Sequence, residues 1–328
     1  MKEYKIDVPV LLIFFCRDKQ FKQVFEEIKK ARPSKLYLYQ DGARLGNKKD
    51  EEGIKKCREI CSDEQIDWNC EVHRLYQTKN FGCDPSEFIA QKWMFETEEM
   101  GIILEDDDVP SQSFFPFAKE LLVKYKDDTR INMICAMNNN GVTEAIKESY
   151  LFTKKGSIWG WASWKRVLDT WDGEYKWLDN QKDLEIIKSQ LSQKKYKEFI
   201  ETAKKHKASG REHYESINAA AMFLGMRYNI VPKYNMMKNI GIDEVSTHSV
   251  NDIRLLPERS QRLLYMKTYE IEFPLIHPEN IKLNKNFEKS FETTYLQDIS
   301  IRLESLLKTL KYQGVKGIIN KIKKRLER

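Results

Sequence analysis

The residues with the clearest chemical capacity are Glu105, Asp106, Asp107 and Asp108, four consecutive acids between the apolar run 101–104 and Pro110. Four carboxylates at the end of a buried strand are costly unless a positive group neutralises them. A hard divalent cation with oxygen ligands, Mn²⁺ or Mg²⁺, would do so and would in turn hold a diphosphate. A solvated acidic turn is the alternative. The site reading gains from the apolar strand before the acids and from the helix expected behind them at 111–126.

The second concentration of unusual residues is GSIWGWASWKRVLDTWD, which holds Trp159, Trp161, Trp164 and Trp171, four of the seven tryptophans. Indoles favour packing, so at least two of these belong in a core. The functional alternative is that Gly160 admits a close backbone approach to a sugar while one indole face stacks on its ring.

Acids in this setting need strands to place them, and the first half supplies the pattern. Residues 8–16 read as a buried strand, 19–31 as a helix, 36–40 as a strand and 50–60 as a helix. A strand at 70–76, a helix at 87–99 and a short strand at 101–104 follow. Serial alternation of this kind gives an α/β fold with a mixed, mostly parallel sheet and helices on both faces. Ligands of such sheets sit at the carboxyl ends of the strands. Here those ends are Cys16-Arg17, Asp41-Gly42, residues 77–82 and the acids themselves. Later on, 181–207 reads as one long charged helix, 216–224 as an apolar helix and 228–231 as a strand. From about Glu258 the chain reads as a loosely patterned extension.

Composition sets the outer limits. A chain of 328 residues, 41% hydrophobic and 32% charged, is long enough for one large globular domain with an appendage. The apolar run 8–16 is half the length of a membrane span, and Asp7, Pro9 and Arg17-Asp18 bound it, so a first strand is preferred to a signal peptide. Six cysteines without a CxxC pair indicate free thiols and a cytoplasmic protein. The net charge is +6, yet residues 301–328 carry nine Lys/Arg against two Glu, or +7, leaving about −1 for the rest. A basic tail on a near-neutral body argues against nucleic acid as a partner. In that tail Leu303, Leu306, Leu307 and Leu310 form one apolar stripe, and Val315, Ile319, Ile322 and Leu326 another. Gly314 and Gly317 separate the two pieces. Basic residues opposite the stripes suit peripheral contact with an anionic membrane; a helix packed on the body is the alternative.

The motifs together resemble the GT-A glycosyltransferases, whose acidic triplet takes the form Glu-Asp-Asp in N-acetylglucosaminyltransferase I-type enzymes; here it is Glu105-Asp106-Asp107. A group of bacterial surface-polysaccharide sugar transferases, hemolytic-protein-like and near family 2, is more similar still. The matching segments are Asp41-Gly42, Asn80-Phe81-Gly82, residues 104–110, residues 159–166, and Asn239-Ile240-Gly241 with Thr247-His248. They keep the family's order across roughly residues 8–277.

The resemblance implies a GT-A catalytic domain at 1–265, with a nucleotide-binding half at 1–110 and an acceptor half at 111–265. The C-terminal helical extension would occupy 266–328. It implies a nucleotide-sugar donor, UDP-linked, and a glycan or lipid-linked glycan acceptor, with inversion at the transferred carbon. Asp107 would be the main metal ligand, joined by His248. Glu105 and Asp106 would contact the ribose and order the metal's water, Asp41 would bond the base or ribose, and Asn80 and Arg17 would line the same pocket. Trp161 and Lys165 would lie by the donor, Lys165 (or Arg166) meeting the diphosphate. Asp108 departs from the family pattern. A carboxylate must take the acceptor's proton, and Glu215 is the first candidate, with Asp172 second. Two rivals remain. A sugar nucleotidyltransferase would want a glycine-rich loop after the first strand, where this chain reads FFCRDKQF. A catalytically inactive carbohydrate-binding or scaffold protein would keep the fold without turnover.

Overall fold

The computed structural model describes residues 1–241, 252–292 and 295–326. The expected alternation is present in the first half as β1 (Val10–Phe14), α1 (Asp18–Ala31), β2 (Lys35–Gln40), α2 (Lys48–Ile60), β3 (Glu71–Tyr76), α3 (Cys83–Thr97) and β4 (Met100–Glu105). The run Val10–Phe14 is buried throughout, as a central parallel strand covered on both faces requires. On α1 the spacing of Phe21, Val24, Phe25 and Ile28 puts all four on one buried face. Two helices begin earlier than the apolar pattern indicates. Asn47 caps α2 by accepting from the Lys49 and Asp50 N–H groups, and α3 starts at Cys83 directly after Gly82.

Beyond the acids come β5 (Asp108–Pro110), α4 (Phe114–Lys124), β6 (Ile131–Cys135), β7 (Tyr150–Thr153) and β8 (Trp161–Trp164). Then follow α5 (Lys165–Leu168), α6 (Gln181–Lys188), α7 (Gln193–Ser209), α8 (Tyr214–Leu224), β9 (Tyr228–Pro232) and β10 (Met237–Asn239). The main sheet has eight strands in the order β3-β2-β1-β4-β8-β6-β9-β7, and β10 pairs with β5 in a separate ribbon. Strands β3, β2, β1 and β4 are mutually parallel, whereas β8 runs antiparallel to both β4 and β6. One sheet therefore spans both halves of the chain.

Several expectations are corrected. The single helix at 181–207 is two, because the chain turns at 189–192 and Ser192 caps α7 through the Lys195 N–H. The expectation that at least two tryptophans of the block belong in a core is met: Trp161 and Trp164, on β8, are 1% and 2% exposed. Part of the stretch expected as loose extension is core, since Ile271, Leu275 and Phe287 are buried. Glu270 also accepts from the Gln112 and Ser113 N–H groups at the foot of α4. After α9 (Glu258–Leu264) and α10 (Lys285–Ser290), α11 (Tyr295–Leu326) breaks at Gly314, the first of the two expected glycines, where φ is 64° and ψ −166°.

Gly160 shows why β8 begins where it does. Its φ is +62°, and a Cβ there would lie 2.1 Å from the Met237 Cε. Gly160→Ala is expected to lower unfolding free energy by about 1–3 kcal/mol through strain and overpacking, as read by urea denaturation at neutral pH.

Candidate active site

The carboxyl ends of β1, β2 and β4 and the segment after β3 meet at one edge of the sheet and enclose a cavity of about 130 Å³. Phe15, Arg17, Asp41, Asn80, Glu105 and Asp106, each from one of the strand ends read in the sequence, contribute to its wall. This is the position that a parallel open sheet reserves for ligands.

The four acids have four different environments. Asp106 is ion-paired with the Arg17 guanidinium and accepts from the Phe15 N–H at 3.3 Å. Asp107 receives the same Arg17 Nη2 at 2.8 Å and the Asn239 Nδ2 at 3.0 Å. Asp108 is fully buried and accepts from the Gly160 N–H at 2.7 Å, the Glu105 N–H at 3.4 Å and the Asn239 Nδ2 at 3.3 Å. It faces neither solvent nor a ligand; it ties the end of β4 to the start of β8 and to β10. Glu105 accepts from the Tyr214 hydroxyl at 3.4 Å. Gly241 closes the arrangement from beneath. Its N–H is held by the Asn239 Oδ1, and a Cβ there would fall 2.0 Å from the Asp107 Oδ2.

Charge is poorly balanced. Burial opposes the Arg17 charge, but Asp106 and Asp107 more than offset it and raise the pKa. Burial pushes Asp107 upward against the lowering by Arg17. Glu87, Glu105 and Asp108 lie well above the ordinary carboxylate range, first through burial and then through repulsion from neighbouring acids. Glu87 and Arg44 were not singled out by the sequence, though both line the cavity. A faint signal existed for Glu87, which shares the buried face of α3 with Ala90, Gln91 and Met94. Arg44 is bidentate to Asp50, at 2.7 Å for both bonds, and its partner is visible only once α2 is folded.

Asp106 and Asp107 offer carboxylate oxygens of the kind a hard divalent cation takes. Asp106 and Asp107 already share one cationic group, Arg17. Among the described residues no three His, Cys, Asp or Glu side chains converge as a metal cage. Two carboxylates completed by water and substrate phosphates suit Mg²⁺-type binding, which uses few protein ligands. On that chemistry the donor set fits.

The other candidates separate clearly. Asp41 is at the cavity, but its carboxylate organises the loop beside it. It accepts from the Gly42 and Phe81 N–H groups at 2.9 Å, the Gly82 N–H at 3.0 Å and the Asn80 Nδ2 at 2.8 Å. Trp161 is enclosed between strands and offers no face for a sugar. Lys165 lies at the opposite end of β4 from the acids, giving its ammonium to the Phe95 carbonyl at 2.9 Å, so it is remote from the strand-end cavity. Arg166 likewise caps the carbonyls of Tyr125, Lys126 and Ile131. Asp172 accepts from the N–H groups of Glu174, Lys176 and Trp177, a turn-forming role. Glu215 is exposed on α8 and lines a second, more open cavity of about 390 Å³ with Asn132, Lys155, Ser157, Asn218 and Phe291. Its neighbour Tyr214 turns instead toward the acids, where its hydroxyl donates to Glu105. His248 lies outside the described residues.

No family model matches this chain, and no curated protein matches it. Solved structures similar to it include a UDP-glucose pyrophosphorylase complexed with UDP-glucose, at 10% identity and TM-score 0.37, covering 71% of this chain and 93% of that one. A Bacillus anthracis protein described as a glucose-1-phosphate thymidylyltransferase matches at 9% identity and TM-score 0.39, covering 80% and 96%. A 4-diphosphocytidyl-2C-methyl-D-erythritol synthase from Anaerococcus prevotii matches at 9% identity and TM-score 0.29, covering 50% and 74%. At this level the likeness assigns no activity.

Glu87→Gln tests the charge imbalance. A carboxyl raised in the folded state binds more protons there than when unfolded, so its contribution to stability falls as pH rises above the unfolded pKa. The amide removes that penalty. Chemical denaturation should find the variant more stable than the parent at pH 8, with the gain shrinking toward pH 4; a constant gain would remove the electrostatic account.

Proposed function

We propose that the chain is a glycosyltransferase that moves a sugar from a nucleoside diphosphate sugar, with UDP as the carrier, to a hydroxyl acceptor. The observation that carries this reading is the Glu105-Asp106-Asp107 run leaving β4 beside a strand-end cavity, with Arg17 against two of its acids. The turn from β1 to α1 supports it over nucleotidyl transfer. That turn contains no glycine and places Arg17, not a chain of backbone N–H groups, over the acids.

In this reading Phe15, Asn80 and Arg17 line the nucleoside pocket, and Asp41 fixes the loop that presents Asn80. The second cavity takes the acceptor. Glu215 on its rim removes the acceptor hydroxyl proton as the oxygen bonds to the anomeric carbon and the bond to the diphosphate breaks, releasing the nucleoside diphosphate. Attack from the face opposite the leaving group inverts that carbon. Asp107 and Asp106 would hold a divalent cation, which would supply charge to stabilise the departing diphosphate.

Calorimetric titration of UDP into the protein with Mn²⁺ and with EDTA, alongside Asp107→Ala, tests this. Micromolar binding that requires both the metal and Asp107 is expected, followed by UDP release from a UDP-sugar. Absence of metal-dependent binding to UDP, GDP and CDP would leave a scaffold or carbohydrate-binding protein. Pyrophosphate release from UTP and a sugar phosphate would identify a nucleotidyltransferase instead.

The tail supports a peripheral membrane reading. Leu303, Leu307 and Val315 are 54%, 65% and 66% exposed on a lysine-rich helix. Among the described residues no helix is long and apolar enough to cross a membrane. Basic and apolar faces on one helix suit an anionic bilayer surface and a lipid-linked acceptor. The full chain should float with phosphatidylglycerol vesicles and not with phosphatidylcholine ones, and Leu303→Ser with Leu307→Ser should abolish flotation.

A further inference from the structure

We propose that Arg17 is a displaceable internal cation, which holds Asp106 and Asp107 until a divalent metal takes its place and then turns its guanidinium to the diphosphate. The inference rests on the nucleotide-site reading above and adds an exchange between two positive groups at one position.

Geometry makes Arg17 suited to this. It leaves the short turn between β1 and α1, lines the cavity, and reaches both acids with a single nitrogen, Nη2, at 2.8 Å from Asp107. Its Nε is 3.4 Å from Asp106, and its Nη1 is 3.5 Å from the Gly241 carbonyl, the outer limit of a hydrogen bond. Among the described residues each acid has one donor besides Arg17, the Phe15 N–H for Asp106 and the Asn239 Nδ2 for Asp107. The guanidinium is thus secured mainly by charge, and a doubly charged ion can compete for the same oxygens.

The surrounding charge makes the exchange necessary for a diphosphate. Asp41, Glu87, Glu105 and Asp106 line the cavity against two arginines, and Arg44 is already committed to Asp50. With Asp107 and Asp108 directly behind, a diphosphate entering this cleft meets more carboxyl groups than arginines. Arg17 alone does not offset both the acids and the ligand. A divalent cation placed at Asp106 and Asp107 adds the missing charge and also frees the one arginine able to turn toward the phosphates.

The exchange predicts effects of opposite sign from one substitution. Mn²⁺ binding, followed by water-proton relaxation on the full chain without nucleotide, should tighten at least ten-fold in Arg17→Gln because the internal competitor is gone. UDP binding at saturating Mn²⁺ should weaken at least ten-fold in the same variant because the diphosphate loses its arginine. Unchanged or weaker Mn²⁺ binding in Arg17→Gln would overturn the proposal. Should that variant fail to fold, the parent protein provides a second reading. Its Arg17 Nε–H resonance should shift on titration with diamagnetic Mg²⁺, and a resonance that stays fixed while Mg²⁺ binds would overturn it equally. The metal arm uses no nucleotide, so failure of UDP to bind under any condition would remove the transferase reading without deciding the exchange.

Discussion

Four consecutive acids at the end of a buried strand must be neutralised, and the surrounding structure is arranged around that requirement. Arg17 comes from the β1–α1 turn, Asn239 from the end of β10, the Gly160 N–H from the start of β8, and the Tyr214 hydroxyl from the start of α8. Each element is brought to the same point because it contributes a positive or hydrogen-donating group. The short β5–β10 ribbon has the same logic, since it delivers Asn239 and Gly241 beneath Asp107. Neutralisation nevertheless stays incomplete. Glu87 and Glu105 remain as high-pKa carboxyls, and such an imbalance is more often kept at a functional cleft than in a purely structural core.

The sequence disclosed the first half well because local pattern and tertiary role agree there. Val10–Phe14 is apolar because it is central, the α1 stripe is regular, and all four strand ends named in advance reach the cavity edge. The second half was less legible because its strands are short and its partners distant in sequence. The run Trp161–Trp164 carries no alternation that separates a strand from a binding loop; only its insertion between β4 and β6 reveals it as core. Lys165 illustrates the same difficulty. Its place in a motif says nothing of which end of β4 it adjoins, and strand direction puts it at the far one.

The acid run itself was read correctly as needing a cation, while the identity of the partner was not. Arg17 is 89 positions from Asp106, and no local rule pairs them. Once β1 and β4 are adjacent and parallel, a residue just beyond the end of one strand must meet a residue just beyond the end of the other. Asp41 carries a related lesson. A polar residue at a strand end has two uses, binding a ligand or building the loop that does, and its four hydrogen bonds assign it to the second. Only the fold distinguishes the two uses.

The antiparallel strand β8 has a consequence for how this chain can be divided. Residues 1–110 contain the strand-end cavity and look separable on paper, yet the outer edge of β4 is covered by Trp161–Trp164. A fragment ending near Pro110 would expose that edge as a row of unpaired N–H and C=O groups beside an apolar strand, a template for intermolecular pairing. It would also lack Asn239 and the Gly160 N–H, leaving Asp107 with Arg17 alone and Asp108 with only the Glu105 N–H. Site and fold are therefore indivisible here: the half that carries the acids cannot be excised as a self-standing unit.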